Sequence, residues 1–144
     1  MSKLLGIDLG TTKSGLARSD ESGTLAFAWQ SIGGSLEKQL VTLTTLILES
    51  SNEFSEIVFG LPSQEGEWKN KIQAFALKLK HALQEHKLDI PFVFANEDFS
   101  SFDAQKNLQE VKSTMKKKAR LKFDSTLDDA EAARIMLQAY IDNR

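Results

Sequence analysis

The order and length of the apolar segments predict an α/β protein with a mixed sheet, in which an antiparallel three-stranded meander is followed by parallel strands. Three short apolar segments separated by turn residues come first, and longer segments of helical periodicity then alternate with further short apolar segments. Strands that alternate with helices form sheets that carry helices on both faces. No linker or repeat interrupts the sequence, so we expect one domain over residues 1–144.

The predicted meander occupies the first thirty residues. Residues 4–9 form an apolar run that Gly10, Thr11 and Thr12 end, which is typical of a buried strand and a tight turn. Two more short strands are predicted at residues 14–18 and 24–29, and residues 19–23 supply the turn between them. Gly33 and Gly34 are expected to close the meander.

The remainder of the chain alternates helices with strands. A helix is predicted over residues 35–49 from the spacing of its leucines, which are Leu36, Leu40, Leu43, Leu46 and Leu48. A second helix is predicted over residues 67–86, with an inner face made of Ile72, Phe75, Ala76, Leu79 and Leu83. Short strands are expected at residues 57–59 and 90–95. Residues 99–111 are predicted to begin as a helix, and a last helix is predicted over residues 126–142.

The composition is that of an ordinary folded protein, with 41% hydrophobic and 26% charged residues. The absence of cysteine excludes disulfides, thiolate catalysis and cysteine-ligated metals, and it suits a reducing cytosol, so we expect a cytoplasmic protein. The apolar N-terminal run contains Asp8, which argues against a signal peptide or a membrane span. No membrane association is therefore expected.

Two acidic residues in the strand regions are candidates for chemistry. Asp8 lies inside the first predicted strand, where a carboxylate is costly unless it is hydrogen-bonded, paired or bound to a cation. Its alternative role is to accept hydrogen bonds from the turn at Thr11 and Thr12. Glu97 follows the strand predicted at residues 90–95, and ligands gather at the carboxyl ends of strands in α/β proteins. Its alternative role is that of an acid at a helix N-terminus.

Asp128 and Asp129 fall in the first turn of the last predicted helix, where capping alone would explain at least one of them. Both align with apolar residues along that helix, so periodicity does not separate them. If one of them converged with Asp8 and Glu97, a divalent cation would relieve the repulsion between the carboxylates. Such oxygen ligands suit Mg²⁺ or Mn²⁺, which activate water and stabilise the oxygens of a phosphodiester during cleavage.

A basic segment without acidic residues lies towards the C-terminus. Its members are Lys112, Lys116, Lys117, Lys118, Arg120 and Lys122. A net charge of −2 argues against binding nucleic acid by global electrostatics, so the segment is either a solvated surface or a local arm that contacts phosphates. His81 and His86 are expected at the surface of the second helix, away from the candidate acids.

Four motifs together resemble the YqgF/RuvX family. They are GIDLGTTKSGLARSD from Gly6, GLP from Gly60, NEDFSS from Asn96 and LDDAEAARIMLQAYI from Leu127. The resemblance spans nearly the whole chain in the family's order. It implies an RNase H-like fold and a metal-dependent nuclease that processes the 5′ end of pre-16S rRNA or, alternatively, cleaves branched DNA as a Holliday-junction resolvase. A resolvase would need two sites, so a homodimer is a possible partner state.

The resemblance also implies particular site residues. It matches Asp8, Glu97 and Asp129 to the family's three catalytic and metal-binding acids, with Asp128 as the fallback for the third. It places Lys13 in the turn after the first acid, where we expect it to contact nucleic acid together with the basic segment.

Further positions bear on the fit to the family. Gly6 and Gly10 are expected to let the backbone approach the metal site or turn tightly. Asp20 matches an acidic position after the second strand. Family members usually carry arginine where this chain has Asp98, and the segment after GLP is shorter than usual. Both departures concern contacts with the substrate.

Two other classes of function stay open. GIDLGTT also resembles the first phosphate loop of actin-like ATPases. Those proteins need two such domains around the nucleotide, and this sequence contains one such domain without a second glycine-rich phosphate segment. The other class is a non-catalytic relative that binds RNA without cleaving it. The aspartate at position 98 and the negative net charge are compatible with that alternative.

Overall fold

The computed structural model describes residues 3–50, 53–96 and 126–144, and only the backbone for residues 126–128. Its elements are β1 Lys3–Asp8, β2 Lys13–Ser19, β3 Ala26–Gly33, α1 Leu36–Glu49, β4 Phe54–Leu61, α2 Glu67–Glu85, β5 Phe92–Asn96 and α3 Thr126–Asn143. The predicted α/β order is confirmed over these residues, although β3 and β4 are longer than predicted. The helix predicted at residues 99–111 lies outside the described residues.

Within the described residues, five strands form one sheet in the order β3-β2-β1-β4-β5. β1, β2 and β3 form an antiparallel meander, β4 pairs in parallel with β1, and β5 pairs in parallel with β4. Because α1 and α2 are the crossover connections, the carboxyl ends of β1, β4 and β5 lie at one edge of the sheet. We call this the carboxyl edge; Asp8 ends β1 there and Asn96 ends β5.

The two faces of the sheet carry different cores. Alternation along β1 turns Leu5 and Ile7 to the face that α1 and α2 cover, and it turns Leu4 and Gly6 to the face that α3 covers. The first face buries mainly large side chains, among them Leu5, Ile7, Leu16, Leu43, Ile47, Ile57, Phe59, Ile72, Leu79 and Leu83. The core on the α3 face is smaller and consists of Leu4, Ala17, Ala26, Val58, Ala95, Ala133, Met136 and Leu137.

The inner faces of α1 and α2 pack against the sheet. On α2 the predicted inner face is confirmed, and all five of its residues are buried. On α1 the buried row is Gln39, Leu43 and Ile47, while the other leucines of this helix are only partly buried. The leucine spacing predicts the helix, which is confirmed, and the fully buried row runs through Gln39. None of the helices in residues 3–50, 53–96 and 126–144 has the length and apolar character needed to cross a membrane.

Candidate active site

Asp8 is the last residue of β1 and lies on the α3 face at the carboxyl edge. Its neighbours Ile7 and Leu9 are buried in the core on the opposite face, so the alternation of the strand turns Asp8 towards α3. Asp8 itself is half-buried. Its carboxylate therefore lies at the rim of the smaller core, where a ligand from solvent can reach it.

Gly15 brings α3 onto the sheet beside Asp8. It is the cross-strand partner of Asp8, so the two Cα atoms are about 5 Å apart. A Cβ atom built on Gly15 would lie 1.6 Å from the backbone oxygen of Asp129 and 2.8 Å from the backbone nitrogen of Ala130. Only glycine fits at this point, because the helix backbone rests directly on the strand. Asp8 and Asp129 consequently belong to neighbouring backbone segments on one face of the sheet.

The orientation of α3 distinguishes two rows of residues that periodicity alone could not. Ala133, Met136 and Leu137 are buried against the sheet, and Asp129 precedes Ala133 by one helical turn. The side chain of Asp129 keeps 37% of its surface exposed. The alternative row, which contains Ala132, Ile135 and Ala139, is only half-buried. Asp129 therefore lies at the N-terminal end of the row of α3 that faces the sheet.

Lys13 begins β2 at the same edge of the sheet. Its Nζ atom lies 4.0 Å from Oδ2 of Asp129, and both side chains are more than a third exposed. Such an exposed ion pair contributes little to stability, because solvent screens it. The ammonium group is nonetheless within reach of an anion bound beside the aspartates.

The turn between β1 and β2 is built on a buried polar network. A Cβ on Gly10 would lie 2.0 Å from the backbone oxygen of Lys13, so the turn is as tight as predicted. The Ser14 hydroxyl accepts a hydrogen bond from the Gly10 N–H (2.9 Å) and donates one to Oε1 of Gln39. Nε2 of Gln39 donates to the carbonyls of Gly10 and Gly34, at 3.0 Å each. Ser14 and Gln39 are both fully buried.

Gly6 faces the helix and not the candidate site, which corrects one expectation. A Cβ on Gly6 would lie 2.9 Å from Cβ of Leu137. The reason is that α3 crosses β1 close to its backbone before the strand reaches Asp8. Gly6 therefore sets the distance between helix and sheet, whereas Gly10 shapes the turn.

Several sequence-predicted site residues lie outside the described part of the chain. They are Glu97, Asp98, the side chain of Asp128, and the basic segment Lys112, Lys116, Lys117, Lys118, Arg120 and Lys122. The structure brings Asp8, Lys13 and Asp129 to one edge. Among the residues that the structure describes, no three acidic or histidine side chains gather closely enough to hold a metal ion. His81, on α2, and His86, directly after α2, are both exposed, as expected.

Sequence reasoning missed Gly15 and Gln39. Gly15 carries a recognisable signal, because a glycine inside a predicted strand indicates that another backbone approaches closely. Gln39 carries a weaker signal, since it precedes Leu43 by one helical turn on the inner row of α1. A polar residue in such a row indicates a buried hydrogen-bond network.

Comparisons with known sequences agree with the motifs. A family model described as RuvX, Holliday junction resolvase, matches residues 2–143. The "Putative pre-16S rRNA nuclease" of Sulfurihydrogenibium sp. (strain YO3AOP1) is 34% identical over 146 residues, which covers 99% of this chain and 91% of the relative. A protein of the same name from Lawsonia intracellularis (strain PHE/MN1-00) is 34% identical over 145 residues, covering 97% and 93%.

Solved structures share the fold. Thermus thermophilus RuvC in complex with a Holliday junction substrate aligns with a TM-score of 0.57 at 16% identity, over 100% of this chain and 96% of that one. The fowlpox virus Holliday junction resolvase aligns with a TM-score of 0.51 at 12% identity, over 99% of each chain. At these identities the likeness shows the fold, which is the RNase H-like α/β fold of RuvC-type resolvases.

Proposed function

The chain belongs to the RuvX family, and on that premise we propose that it is a divalent-metal-dependent nuclease that acts on structured nucleic acid. The proposed substrate is the 5′ region of pre-16S rRNA, because two relatives that are 34% identical to this chain are named as pre-16S rRNA nucleases. The observation that carries the site assignment is that Gly15 is the cross-strand partner of Asp8 and is also contacted by the backbone of Asp129.

We propose that Asp8, Glu97 and Asp129 hold a Mg²⁺ or Mn²⁺ ion. The donor chemistry fits, because two carboxylates on neighbouring backbone segments offer the hard oxygen ligands that these ions prefer. Glu97 directly follows Asn96, the residue with which β5 ends at the same edge. When bound, such an ion supplies an activated water and stabilises negative charge on the scissile phosphate.

The chain's own residues contribute position and charge. Asp8 stands at the end of a central strand, and Asp129 stands on a helix that is packed against that sheet, so both carboxylates are carried by rigid elements. The ammonium group of Lys13, 4.0 Å from Asp129, would lie beside a phosphate bound at the aspartates and would offset its charge. Asp129 is 37% exposed, which leaves room for a nucleic-acid backbone to approach.

The basic segment is our proposed second contact with the substrate. Its lysines and Arg120 would neutralise phosphates without reading sequence, and this explains how a chain of net charge −2 binds a polyanion. The departure at Asp98 falls beside Glu97, so we expect it to alter contacts with the substrate and not the donor set of the metal.

The test is a metal titration of cleavage on a paired fragment of the rRNA precursor and on a four-way DNA junction. We expect Mg²⁺-dependent cleavage of the RNA by the wild-type protein and none by Asp8→Asn, because the amide cannot replace a charged ligand. Asp20→Asn is the matched control, since Asp20 lies in the turn between β2 and β3 at the opposite end of the sheet. Equal rates for the wild type and Asp8→Asn would overturn the assignment.

A second candidate function is cleavage of branched DNA, favoured by the likeness to RuvC bound to a junction. Faster cleavage of the four-way junction than of the RNA would support it, and it would call for a homodimer with two sites. Binding that is equal with and without chelator, accompanied by no cleavage, would instead identify a non-catalytic relative. Tight ATP binding would favour the actin-like alternative.

A further inference from the structure

We propose that Gln39 is a positioning residue for the nuclease site, and that its side-chain amide fixes the turn that joins Asp8 to Lys13. The inference rests on the proposed function, because it concerns the same carboxylate site. Gln39 lies on α1, on the opposite face of the sheet from α3, and its side-chain hydrogen bonds run to Ser14, Gly10 and Gly34. Its effect on the site would therefore pass through the turn.

The hydrogen bonds of Gln39 reach both ends of that turn. Its Nε2 donates to the carbonyl of Gly10, two residues after Asp8, and its Oε1 accepts from Ser14, the residue after Lys13. The Ser14 hydroxyl in turn accepts from the Gly10 N–H at 2.9 Å. One side chain thus ties the exit of β1 to the entrance of β2.

The loop before α1 is fixed to the same turn. Nε2 of Gln39 also donates to the carbonyl of Gly34, and the Gly34 N–H donates to the carbonyl of Thr12 at 3.0 Å. Gly34 has a φ of +106°, which favours glycine at this position. The turn is therefore held both by a backbone hydrogen bond from Gly34 and by the side-chain amide of Gln39.

The surroundings determine the orientation of the amide. Two carbonyl oxygens face one end of it, and only an NH₂ group can donate to both. The reversed amide would place its oxygen against those carbonyls. In the observed orientation, the amide oxygen accepts the hydrogen bond of the Ser14 hydroxyl. All partners are consistent with one arrangement, which makes the network rigid.

Core packing does not explain a glutamine at this position. Gln39 and Ser14 have no exposed surface, and Leu43 and Ile47 continue the same row of α1. A leucine at position 39 would fill similar space without the cost of removing an amide from water. The hydrogen bonds of this buried amide hold the segment between two proposed site residues. A shift of about 1 Å in such groups can lower a rate by about a hundredfold.

The decisive variant is Gln39→Leu, which removes the three hydrogen bonds of the side-chain amide at similar volume. Leu43→Ala is the matched control, because it disturbs the same row of α1 one turn further along and removes no side-chain hydrogen bond. Three quantities are compared: the Mg²⁺ concentration for half-maximal cleavage, the rise in Tm that Mg²⁺ induces, and amide hydrogen exchange at residues 10–13 without metal.

We expect Gln39→Leu to need about tenfold more Mg²⁺, which is the lower end of the loss seen when a group that orients a metal ligand is removed, and to exchange the turn amides faster. Leu43→Ala should lower Tm while leaving the Mg²⁺ requirement and the exchange of the turn as in the wild type. If Gln39→Leu does not fold, Ser14→Ala removes the bonds of the hydroxyl alone and should move the same quantities in the same direction.

The failure of this inference and the failure of the proposed function give different results. If Gln39→Leu and Leu43→Ala have the same Mg²⁺ requirement, and the turn exchanges as in the wild type, Gln39 is an ordinary core residue and the inference is overturned. If the wild type shows neither Mg²⁺-dependent cleavage nor a rise of Tm with Mg²⁺, the proposed function itself is overturned. That second result is read from the wild type before any variant of Gln39 is measured.

Discussion

The two faces of the sheet differ in the size of the residues that they bury. The face under α1 and α2 buries large side chains such as Leu5, Ile7 and Phe59, whereas the face under α3 presents Gly6 and Gly15 to the helix. Small residues let a helix backbone approach the strands closely, and large ones hold it at a distance. The α3 face therefore controls where Asp129 stands relative to the sheet, and the other face supplies most of the buried apolar surface.

The aromatic contacts make the same distinction. Phe59 packs its ring against those of Phe75 and Phe92, with centroids 6.2 and 5.9 Å apart, on the face that α1 and α2 cover. On the other face the contacts between α3 and the strands involve mainly alanine, glycine and single aliphatic side chains. The face under α1 and α2 thus contributes most to stability, and the face under α3 determines the position of the site. Substitutions on the two faces should therefore differ in their effects on stability and on kcat.

Gly15→Ala should produce the largest effect, because it separates α3 from β2. The new Cβ would lie 1.6 Å from the backbone oxygen of Asp129, so two backbones must move apart. We expect kcat of the metal-dependent cleavage to fall by about a hundredfold and the free energy of unfolding to fall by about 1–3 kcal/mol. Activity assays and urea denaturation measure the two effects.

Gly33→Ala is the control for this substitution. A Cβ on Gly33 meets only the backbone oxygen of Thr12, at 3.7 Å, which is an ordinary contact. Its kcat and stability should stay close to those of the wild type. A Gly15→Ala protein with unchanged kcat would show that the close approach of α3 does not determine the position of the site.

Val58→Ile and Ile57→Val compare the two faces with changes of one methylene. These consecutive residues of β4 are fully buried on opposite faces. Val58→Ile overfills the α3 face, so it should cost about 1–3 kcal/mol of unfolding free energy and lower kcat severalfold by displacing α3. Ile57→Val should cost about 0.5–1.5 kcal/mol and leave kcat unchanged. If kcat fell for Ile57→Val and not for Val58→Ile, the division of tasks between the faces would be wrong.

Most of the fold could be predicted from the sequence, because burial is recorded in the spacing of apolar residues. The end of β3 is an exception with a physical cause. β3 continues to Gly33, although the predicted strand ended at Trp29. The register between β2 and β3 shifts there: Leu16 pairs with Gln30 and Ala17 with Ala28, which leaves Trp29 as an extra residue. Such a bulge interrupts the alternation on which a strand prediction depends.

The candidate site was less predictable, because its geometry depends on residues far apart in the sequence. Asp8 could be identified as a candidate, since a carboxylate inside an apolar strand is costly unless it is hydrogen-bonded, paired or bound to a cation. Asp128 and Asp129 could not be separated by periodicity, and it is the contact of α3 with Gly15 that favours Asp129. Gln39 acts on Gly10, which is 29 residues away, and no local pattern records that pairing.

The end of the sheet opposite to the carboxyl edge provides the smallest predicted effect. Asp20 closes the turn between β2 and β3, where its carboxylate accepts hydrogen bonds from the N–H groups of Thr24 (2.9 Å) and Leu25 (3.2 Å). These bonds, aided by the Ser22 and Thr24 hydroxyls, lower the pKa of Asp20 from 3.8 to about 2. α3 reaches this turn through Gln138, which accepts from the Ala26 N–H at 2.8 Å and donates to the Thr24 carbonyl at 3.0 Å.

A depressed pKa in the folded state means that the contribution of Asp20 to stability is present above its unfolded pKa and is lost as the pH falls towards the folded one. Asp20→Asn should therefore flatten the fall in unfolding free energy between about pH 4 and pH 2, as urea denaturation at several pH values can measure. Glu21→Gln is the matched control, because it removes the same charge from the neighbouring position and leaves the hydrogen bonds of Asp20 in place. Parallel slopes for the wild type and Asp20→Asn would contradict the prediction. Cleavage at neutral pH should be unaffected, because the turn holds the far end of α3 and Gly15 holds the end that carries Asp129.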